Sequence, residues 1–429
     1  MSSPSAGGGK PGRNVKKGYE LDQKRRVRDA MERQKSARKG RLDLARRLGG
    51  EPDGDQPAEP DPNNGVHAAA EPADGMHDGG AEHSPGHSPG QGGRRGGKRS
   101  EEWDKDLDKY KGQLMMPEWM IASPDALRDR WLVCPRPEGK RCLVIASGGK
   151  TVSRLRDGRI FQTFSSHLPN GCKGGVRGRM GGSDFSILDC IFVQATGAYY
   201  ICDVMCWKGH SVYECTSEFR LFWLQQKLAE DAPTAATHNA SSNPHPIIPI
   251  PWFPADAQGL EASYCAMQTP YQRDGLHFLH REAHYELGAT SLSLVWKDAQ
   301  SSTYLSEMYE GLDPAIQVTC LRLDGSGQLL TSDSPSVVVA RGTPEQLAGV
   351  QTNKSGFALF KISGVEIEYA DESLSGGPTV TVGAMEFYAP AAAKRMDADP
   401  LSKILFQQSL RGQPLSFQEI VAAASAMND

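Results

Sequence analysis

The sequence predicts an α+β protein built mainly on antiparallel β-sheet, and three features of the chain beyond residue 110 lead to this. Short runs of apolar and β-branched residues recur there, turn sequences rich in Gly, Asn and Asp separate them, and one longer run has helical spacing. Strands joined by short turns, with a helix among them, are typical of the antiparallel sheets of α+β domains.

The strands and the helix can be assigned to particular segments. Turns are expected at Asp157-Gly158, at residues 169–171 and at Thr196-Gly197. The residues EFRLFWLQQKL predict a helix over 218–228. The predicted strands are 131–134, 141–146, 186–193 and 199–205.

Residues 301–429 are predicted to form a C-terminal β-rich extension with terminal helices. The pattern leaves open whether its strands extend the first sheet or form a separate module, and no function follows from it. Ser416 is the expected N-cap of the last helix. The predicted strands are 316–321, 336–340, 365–369 and 379–382, and the predicted helices are 401–406 and 416–421.

Composition excludes several classes of protein. No run approaches the ~18 apolar residues of a membrane helix, and the amino terminus, MSSPSAGGG, lacks the apolar core of a secretory signal. The nine cysteines form no CxxC pair, and Cys202 and Cys206 lie in an apolar run. We therefore expect reduced, buried thiols in a soluble protein of the cytosol or nucleus.

Charge divides the amino-terminal part into a basic arm, residues 10–50, and a linker, residues 51–105. Residues 1–50 carry 15 Lys or Arg against 5 Asp or Glu, although the whole chain has a net charge of −4. The linker is acidic at first and then rich in Gly and Arg, and residues 51–100 include 11 Gly and 7 Pro. Such a segment buries too little surface to offset its chain entropy, so we predict disorder.

The arm consists of helix-forming residues with few apolar positions. Val27, Met31 and Leu42 belong to a stripe that is too thin for a core helix. We therefore expect an arm that is disordered alone and helical against an acidic partner. RNA would accept its charge through phosphates, a membrane surface would need more bulky apolar residues, and the acidic groove of a helical-repeat protein could wrap it.

The stretch KRRVRDAMERQKSARKGRLDLARRL resembles the importin-β-binding domain of snurportins. A solvated basic tail or a generic RNA-contacting arm is the alternative for these residues. The resemblance implies importin-β contacts at Lys24, Arg25, Arg26, Arg28, Arg33, Lys35, Arg38, Arg41, Arg46 and Arg47.

A second set of phrases resembles the snurportin cap-binding domain, in its plant and algal forms above all. The resemblance implies such a domain over residues 110–300, with the fold of mRNA guanylyltransferases and DNA ligases. The phrases are QLMMPEWM (113–120), CPRPEGKRCLVIAS (134–147), TVSRLRDGRIFQTFSSHLPNG (151–171), SILDCI (186–191), YYICDVMCWKGHSVYECTSEFRLFWLQQKL (199–228) and DGLHFLHREAHYELGATSLSLVWKD (274–298).

Membership of this family would imply a nuclear import adaptor. It would bind the trimethylguanosine (m3G) cap of U snRNA in small nuclear RNPs, link them to importin-β and shuttle between cytoplasm and nucleus. An exportin would recycle it, although the spaced leucines of animal forms are missing from MSSPSAGGGKPG. No membrane, DNA, metal or cofactor is expected.

The chemistry of the cap explains the residues that the resemblance implies for its site. An N7-methylated guanine is cationic and favours stacking on an aromatic face, whereas its two N2 methyls favour apolar surface. Trp296 corresponds to the stacking tryptophan and Trp119 to the one beside the N2 methyls. We expect Trp131, Trp207 and Trp223 to be core tryptophans instead, because they lie in continuous apolar runs.

The phosphates of the cap require cations. The resemblance implies a cap-contacting turn at Gly139-Lys140-Arg141, whose glycine permits close approach, and a cation at Arg156. Pro117 stands where animal forms have a serine, so only its carbonyl and its shape remain available. Unless they are a solvated hairpin tip, Lys140 and Arg141 would supply positive charge.

Two other patterns have the spacing of a possible site. Arg154, Arg156 and Arg159 alternate and predict a basic wall on one side of a strand. His280 and His284 have metal-ligand spacing, but the segment around His280 alternates like a strand, so we predict no metal site.

Catalysis is not expected. The related nucleotidyltransferases use the lysine of a KxDG motif, and the nearest phrase here, residues 155–158, reads LRDG. Asp189 and Asp203 each stand singly in an apolar strand. The sequence therefore favours an import adaptor that is not an enzyme over a cap-reading RNA-binding protein without a transport role, or a degenerate nucleotidyltransferase.

Overall fold

The computed structural model describes residues 11–36, 46–49, 107–173, 184–266, 268–302, 317–368, 378–393, 395 and 397–426. The predicted linker, and Arg38 and Arg41 of the arm, lie outside these ranges. No described helix is long and apolar enough to cross a bilayer.

The described chain alternates strands with a smaller number of helices. The helices are α1 Pro11–Ser36, α2 Leu127–Arg130, α3 Ser217–Asp231, α4 Ala257–Glu261, α5 Pro344–Leu347, α6 Leu401–Ser409 and α7 Phe417–Ser425, with a π-helix at Ala262–Ala266. The strands are β1 Met115–Trp119, β2 Trp131–Pro137, β3 Lys140–Ser147, β4 Lys150–Leu155, β5 Ile160–Phe164, β6 Ser186–Val193, β7 Ala198–Trp207, β8 His210–Ser211, β9 Ile247–Pro249, β10 Phe253–Pro254, β11 Arg273–His280, β12 Gly288–Trp296, β13 Gln317–Leu323, β14 Gln328–Leu330, β15 Val338–Arg341, β16 Phe357–Glu368 and β17 Thr379–Pro390.

These strands form three sheets. The first sheet has the order β1-β12-β11-β2-β10, the second has the order β5-β4-β3-β6-β7-β8 with β9 beside β7, and the third has the order β15-β14-β13-β16-β17. All pairings are antiparallel except β1 with β12 and β7 with β9. The predicted α+β class with mainly antiparallel sheet is therefore confirmed.

The first and second sheets face each other across an apolar layer. Leu132 and Leu279 of the first sheet share a buried cluster with Leu143 and Ile187 of the second. On the other face of the second sheet, α3 packs its apolar stripe, and Thr216 caps its first turn by accepting from the Phe219 N–H. The apolar side chains of the strands therefore form the layers of the core, and Thr216 fixes the start of the helix.

One of the three predicted core tryptophans lies at the edge of the core. Trp131 and Trp207 are buried in the core as predicted, each 1% exposed. Trp223 is only half-buried on α3, where its ring stacks on that of Phe219 at 6.4 Å. The error arises because a continuous apolar run on a helix cannot face the core with every residue.

Cys202 and Cys206 are buried thiols, as predicted, and burial raises the pKa of each to about 12.

The C-terminal strands form a sheet of their own rather than an extension of the first. Its edge strands, β15 and β17, approach each other, so the sheet curls. A curled five-stranded antiparallel sheet resembles the partly open barrel of OB-folds. Its inner side chains, among them Leu321 and Phe360, share one apolar cluster with Phe406 of α6 and Trp119 of β1. The third sheet is therefore packed directly against the first.

The basic arm is folded against the domain as helix α1, which corrects the expectation that its stripe is too thin to pack. Its inner face is completed by polar residues. Tyr19 is 1% exposed and donates to the Trp119 carbonyl at 3.2 Å. Gln34 donates to the Glu282 carbonyl at 3.2 Å and accepts from the His284 N–H at 2.7 Å. These bonds satisfy buried polar groups that an apolar pattern could not reveal.

Two buried ion pairs lie side by side on the central strands of the second sheet. Asp189 of β6 and Asp203 of β7 are register partners. Arg141 binds Asp189 through two bonds of 2.9 and 2.7 Å, and Arg220 binds Asp203 through bonds of 2.9 and 2.6 Å. Burial alone would lower the pKa of Arg141, but the attraction of Asp189 outweighs it and raises that pKa.

Replacing Arg141 should therefore unfold the domain more readily than replacing its neighbour. Arg141→Ala leaves a buried carboxylate without its cation, which typically costs ~3–5 kcal/mol. Lys140→Ala is the matched control, because Lys140 is half-exposed. Denaturant titration followed by circular dichroism measures both variants. Equal midpoints for Arg141→Ala and the wild type would contradict a stabilising role for the pair.

Candidate functional site

Trp119 ends strand β1 at the junction of the first sheet, the third sheet and α1. Its ring lies 4.8 Å from that of Phe406, and the Lys297 ammonium lies 5.1 Å from its centroid on another side. Its backbone N–H donates to the Ser402 hydroxyl at 3.2 Å. With 7% of its surface exposed, the indole is held by α6 as well as by the sheet.

A buried polar cluster adjoins this indole, and we call it the Asp274 cluster. Lys297 contacts Asp274 at 2.8 Å, Ser302 donates to the same oxygen at 2.5 Å, and Arg136 pairs with the other oxygen. Asp274 is placed by a bulge in β11. Gly275 follows it with φ +84°, and a Cβ at that position would lie 2.0 Å from the Trp296 carbonyl.

Trp296 lies on the opposite face of the first sheet from Trp119. Trp119 pairs with Val295 in the register of β1 and β12, so the side chain of the next residue points the other way. Trp296 is 1% exposed, and its indole N–H donates to the Leu415 carbonyl at 2.9 Å. The two predicted cap tryptophans are therefore not brought together in this conformation.

The predicted cap-contacting turn joins the two sheets. Gly139 is required there, because a Cβ would lie 2.2 Å from the Phe192 carbonyl oxygen. The glycine thus lets the turn lie against the backbone of Phe192, which is a contact within the chain and not with a ligand. Lys140 places its ammonium 5.1 Å from the ring centroid of Phe161, whereas Arg141 is committed to Asp189. Arg136, three residues earlier, connects the turn to the Asp274 cluster.

Pro117 lies at an irregularity of β1. The register with β12 shifts between Pro117 and Glu118, where a residue without an N–H is tolerated. Glu118 is buried and ion-paired with Arg26 of α1. Burial raises the pKa of the Glu118 carboxyl, and the Arg26 charge offsets part of that rise.

The predicted basic wall of three arginines is not formed. Arg154 is buried, stacks its guanidinium 3.6 Å from the centroid of the Tyr110 ring and donates to the Gly158 carbonyl. Arg156 is exposed in the turn after β4, and Arg159 pairs with Asp157 at 2.6 Å. The prediction is wrong because β4 ends at residue 155, so strand alternation does not reach the other two arginines.

Of the two histidines with metal-ligand spacing, His280 packs against the core. His280 lies edge-on to Trp131 at 5.2 Å, and burial lowers its pKa to about 4. Within the described ranges, no group of three or more His, Cys, Asp or Glu side chains is placed to hold a metal ion.

The predicted importin-β-binding residues divide into two sets on the docked arm. Arg25 and Arg26 are partly buried and paired with Asp22 of the same helix. The others that the structure describes, Lys24, Arg28, Arg33, Lys35, Arg46 and Arg47, are exposed.

Sequence reasoning missed the Asp274 cluster. Its members stand on β2, on β11 and at the end of β12, and none belongs to a local motif that demands a ligand. The available signal was Asp274-Gly275, an acidic residue and a glycine opening a buried strand.

DNA ligases are among the solved structures with partial likeness to the chain. Mycobacterial DNA ligase D complexed with ATP and MES is 15% identical, with 67% of this chain and 95% of that chain covered and a TM-score of 0.30. A Lig E DNA ligase is 13% identical, with 64% of this chain and 98% of that chain covered and a TM-score of 0.28. Chlorella virus DNA ligase-adenylate is 11% identical, with 63% of this chain and 98% of that chain covered and a TM-score of 0.24. With scores this low, the likeness adds no argument.

The family comparison is more specific. Residues 113–297 match the family described as Snurportin1, m3G cap-binding domain. This range starts just before β1 and ends at Lys297, so it contains the Trp119 end of β1, the Gly139 turn and most of the Asp274 cluster. Residues 113–297 therefore form a domain of the snurportin cap-binding family, and this match supports a snurportin-type protein.

Proposed function

We propose that this protein is a nuclear import adaptor. It binds the m3G cap of spliceosomal snRNA through residues 113–297 and binds importin-β through its basic arm. The observation that carries the proposal is the family match of that domain, together with the cations and aromatic rings at its sheet junction. Shuttling between cytoplasm and nucleus, with recycling by an exportin, belongs to the same proposal.

The Asp274 cluster and the Gly139 turn are the proposed phosphate side of the site. Lys297 lies between the Trp119 ring and Asp274, Arg136 pairs with the other oxygen of Asp274, and Lys140 follows Gly139 at the start of β3. Cations placed this way can neutralise a phosphate bridge on a domain whose remaining charge is negative. Arg141 instead acts by positioning, because Asp189 neutralises it one to one. Lys297 and Arg136 share the single carboxylate of Asp274, so these three groups together keep a net positive charge.

The arm supports the receptor half of the proposal. In the docked helix, Lys24, Arg28, Arg33 and Lys35 remain exposed. A receptor with an acidic inner surface can contact these four cations while the helix is still docked on the domain. A cap-reading protein without a transport role would present the same face to RNA instead.

We propose binding without catalysis. The residues at the LRDG phrase and at Arg136-Pro137-Glu138-Gly139 both lack the lysine that attacks a nucleotide, and an arginine cannot be deprotonated for that role. Lys297, the lysine nearest the cluster's carboxylate, is held in an ion pair.

Cap selectivity is the decisive measurement for the proposed function. Fluorescence titration with trimethylated and monomethylated cap dinucleotides should favour the trimethylated ligand. The small apolar area of two methyl groups limits the difference to about 1–2 kcal/mol. Equal affinities would refute the m3G assignment.

Receptor binding should depend on the exposed face of the arm. The triple substitution Arg28→Ala, Arg33→Ala and Lys35→Ala should reduce capture by importin-β roughly tenfold or more and leave cap affinity unchanged, with a loss that grows as salt is lowered. Deleting the whole arm is less informative, because it also removes Tyr19 from the Trp119 carbonyl. Lys354→Ala, which removes an exposed cation in the turn before β16, is the control. Undiminished capture by the triple variant would favour the RNA-contacting alternative.

The absence of catalysis has its own test. After incubation with GTP and Mg²⁺ or Mn²⁺, the intact mass of the protein should be unchanged, because no lysine stands at the nucleophile position. Guanylyltransferase treated in parallel is the positive control. A guanylyl adduct mapped to a lysine of this chain would show instead that it is a nucleotidyltransferase.

A further inference from the structure

The covering of Trp296 comes from residues 415–426, which include helix α7. Leu415, Ile420 and Ala424 share its apolar cluster, and the Leu415 carbonyl accepts its indole N–H. The Phe417 ring lies 6.2 Å from the indole. Trp296 is thus closed from solvent by residues more than a hundred positions away in sequence.

Phe417 occupies an aromatic position beside Trp296. It stacks on Tyr264 with centroids 4.1 Å apart and an interplanar angle of 25°. Tyr264, on the π-helix, lies 5.6 Å from Trp296, so the three rings form one group. A flat ring in such a group makes the contacts that a purine base would make, because stacking on aromatic faces does not require a particular hydrogen-bonding edge.

The covering segment is attached in a way that permits release. Residues 412–414, which lead into it, are exposed and contain Gly412 and Pro414. Helix α7 has its own capping box between Ser416 and Glu419, so its first turn does not need the domain for its cap. Its contact with the domain runs along one apolar face, with Ile420 and Ala424 buried.

We propose that residues 415–426 are a lid on Trp296, and that Phe417 competes with the cap guanine for the aromatic group of Trp296 and Tyr264. This proposal rests on the proposed function, since it takes the cap as the ligand. The apparent affinity for the cap is then the intrinsic affinity multiplied by the fraction of molecules in which the lid is open. Weakening the lid raises that fraction.

The first test compares two phenylalanine variants of the full chain. Phe417→Ala should bind the trimethylated cap dinucleotide roughly 3- to 10-fold more tightly, because it removes the competing aromatic contact. Phe222→Ala, which removes a ring that is 62% exposed on α3, should leave affinity unchanged. Unchanged or weaker binding by Phe417→Ala would overturn the lid and make Phe417 a wall of the site.

The second measurement needs no variant. Amide hydrogen exchange of residues 417–425 in the wild-type protein should become faster when the cap dinucleotide is added, because the open state is then populated. Slower or unchanged exchange with bound cap would overturn the lid. If neither the wild type nor Phe417→Ala binds any methylated cap, the proposed function itself fails, which is a different result from cap binding without lid movement.

Discussion

The fold depends on the paired carboxylates of the second sheet. Asp189 and Asp203 lie opposite each other on adjacent buried strands, where two unscreened negative charges would repel strongly. Arg141 and Arg220 neutralise them, and the network then leaves the sheet. Tyr285 donates to Asp189 at 2.7 Å and accepts from the N–H of Met115, the first residue of β1, at 3.0 Å. The strand that ends at Trp119 is therefore positioned by an ion pair in the other sheet.

Most strands were predictable because their information is local. Alternation or continuous burial marks β3, β6 and β7, and helical spacing marks α3. The docking of α1 was not predictable in this way, since Tyr19 bonds to a carbonyl one hundred residues away and Gln34 bonds to the backbone at 282 and 284. Arg154 was misread for the same reason, because its partner ring belongs to Tyr110.

The candidate site shows where a family resemblance helps and where geometry is needed. The resemblance implied a cap-contacting role for the Gly139 turn, and the need for glycine there is evident from the Phe192 carbonyl. It could not show that Arg141 is bound to Asp189, nor that Trp119 and Trp296 occupy opposite faces of a sheet. Those facts depend on strand register, in which a shift of one residue reverses the face.

The docking of α1 has a consequence for the order in which the chain acquires its structure during synthesis. The arm is translated first, yet it packs against β1, β12 and β16, and the last of these ends at residue 368. At about 5–20 residues per second, a ribosome completes that stretch only tens of seconds after α1 has emerged. Throughout this interval the arm is separated from its place on the domain. Newly made chains therefore expose Tyr19 to other proteins, whereas finished chains bury it.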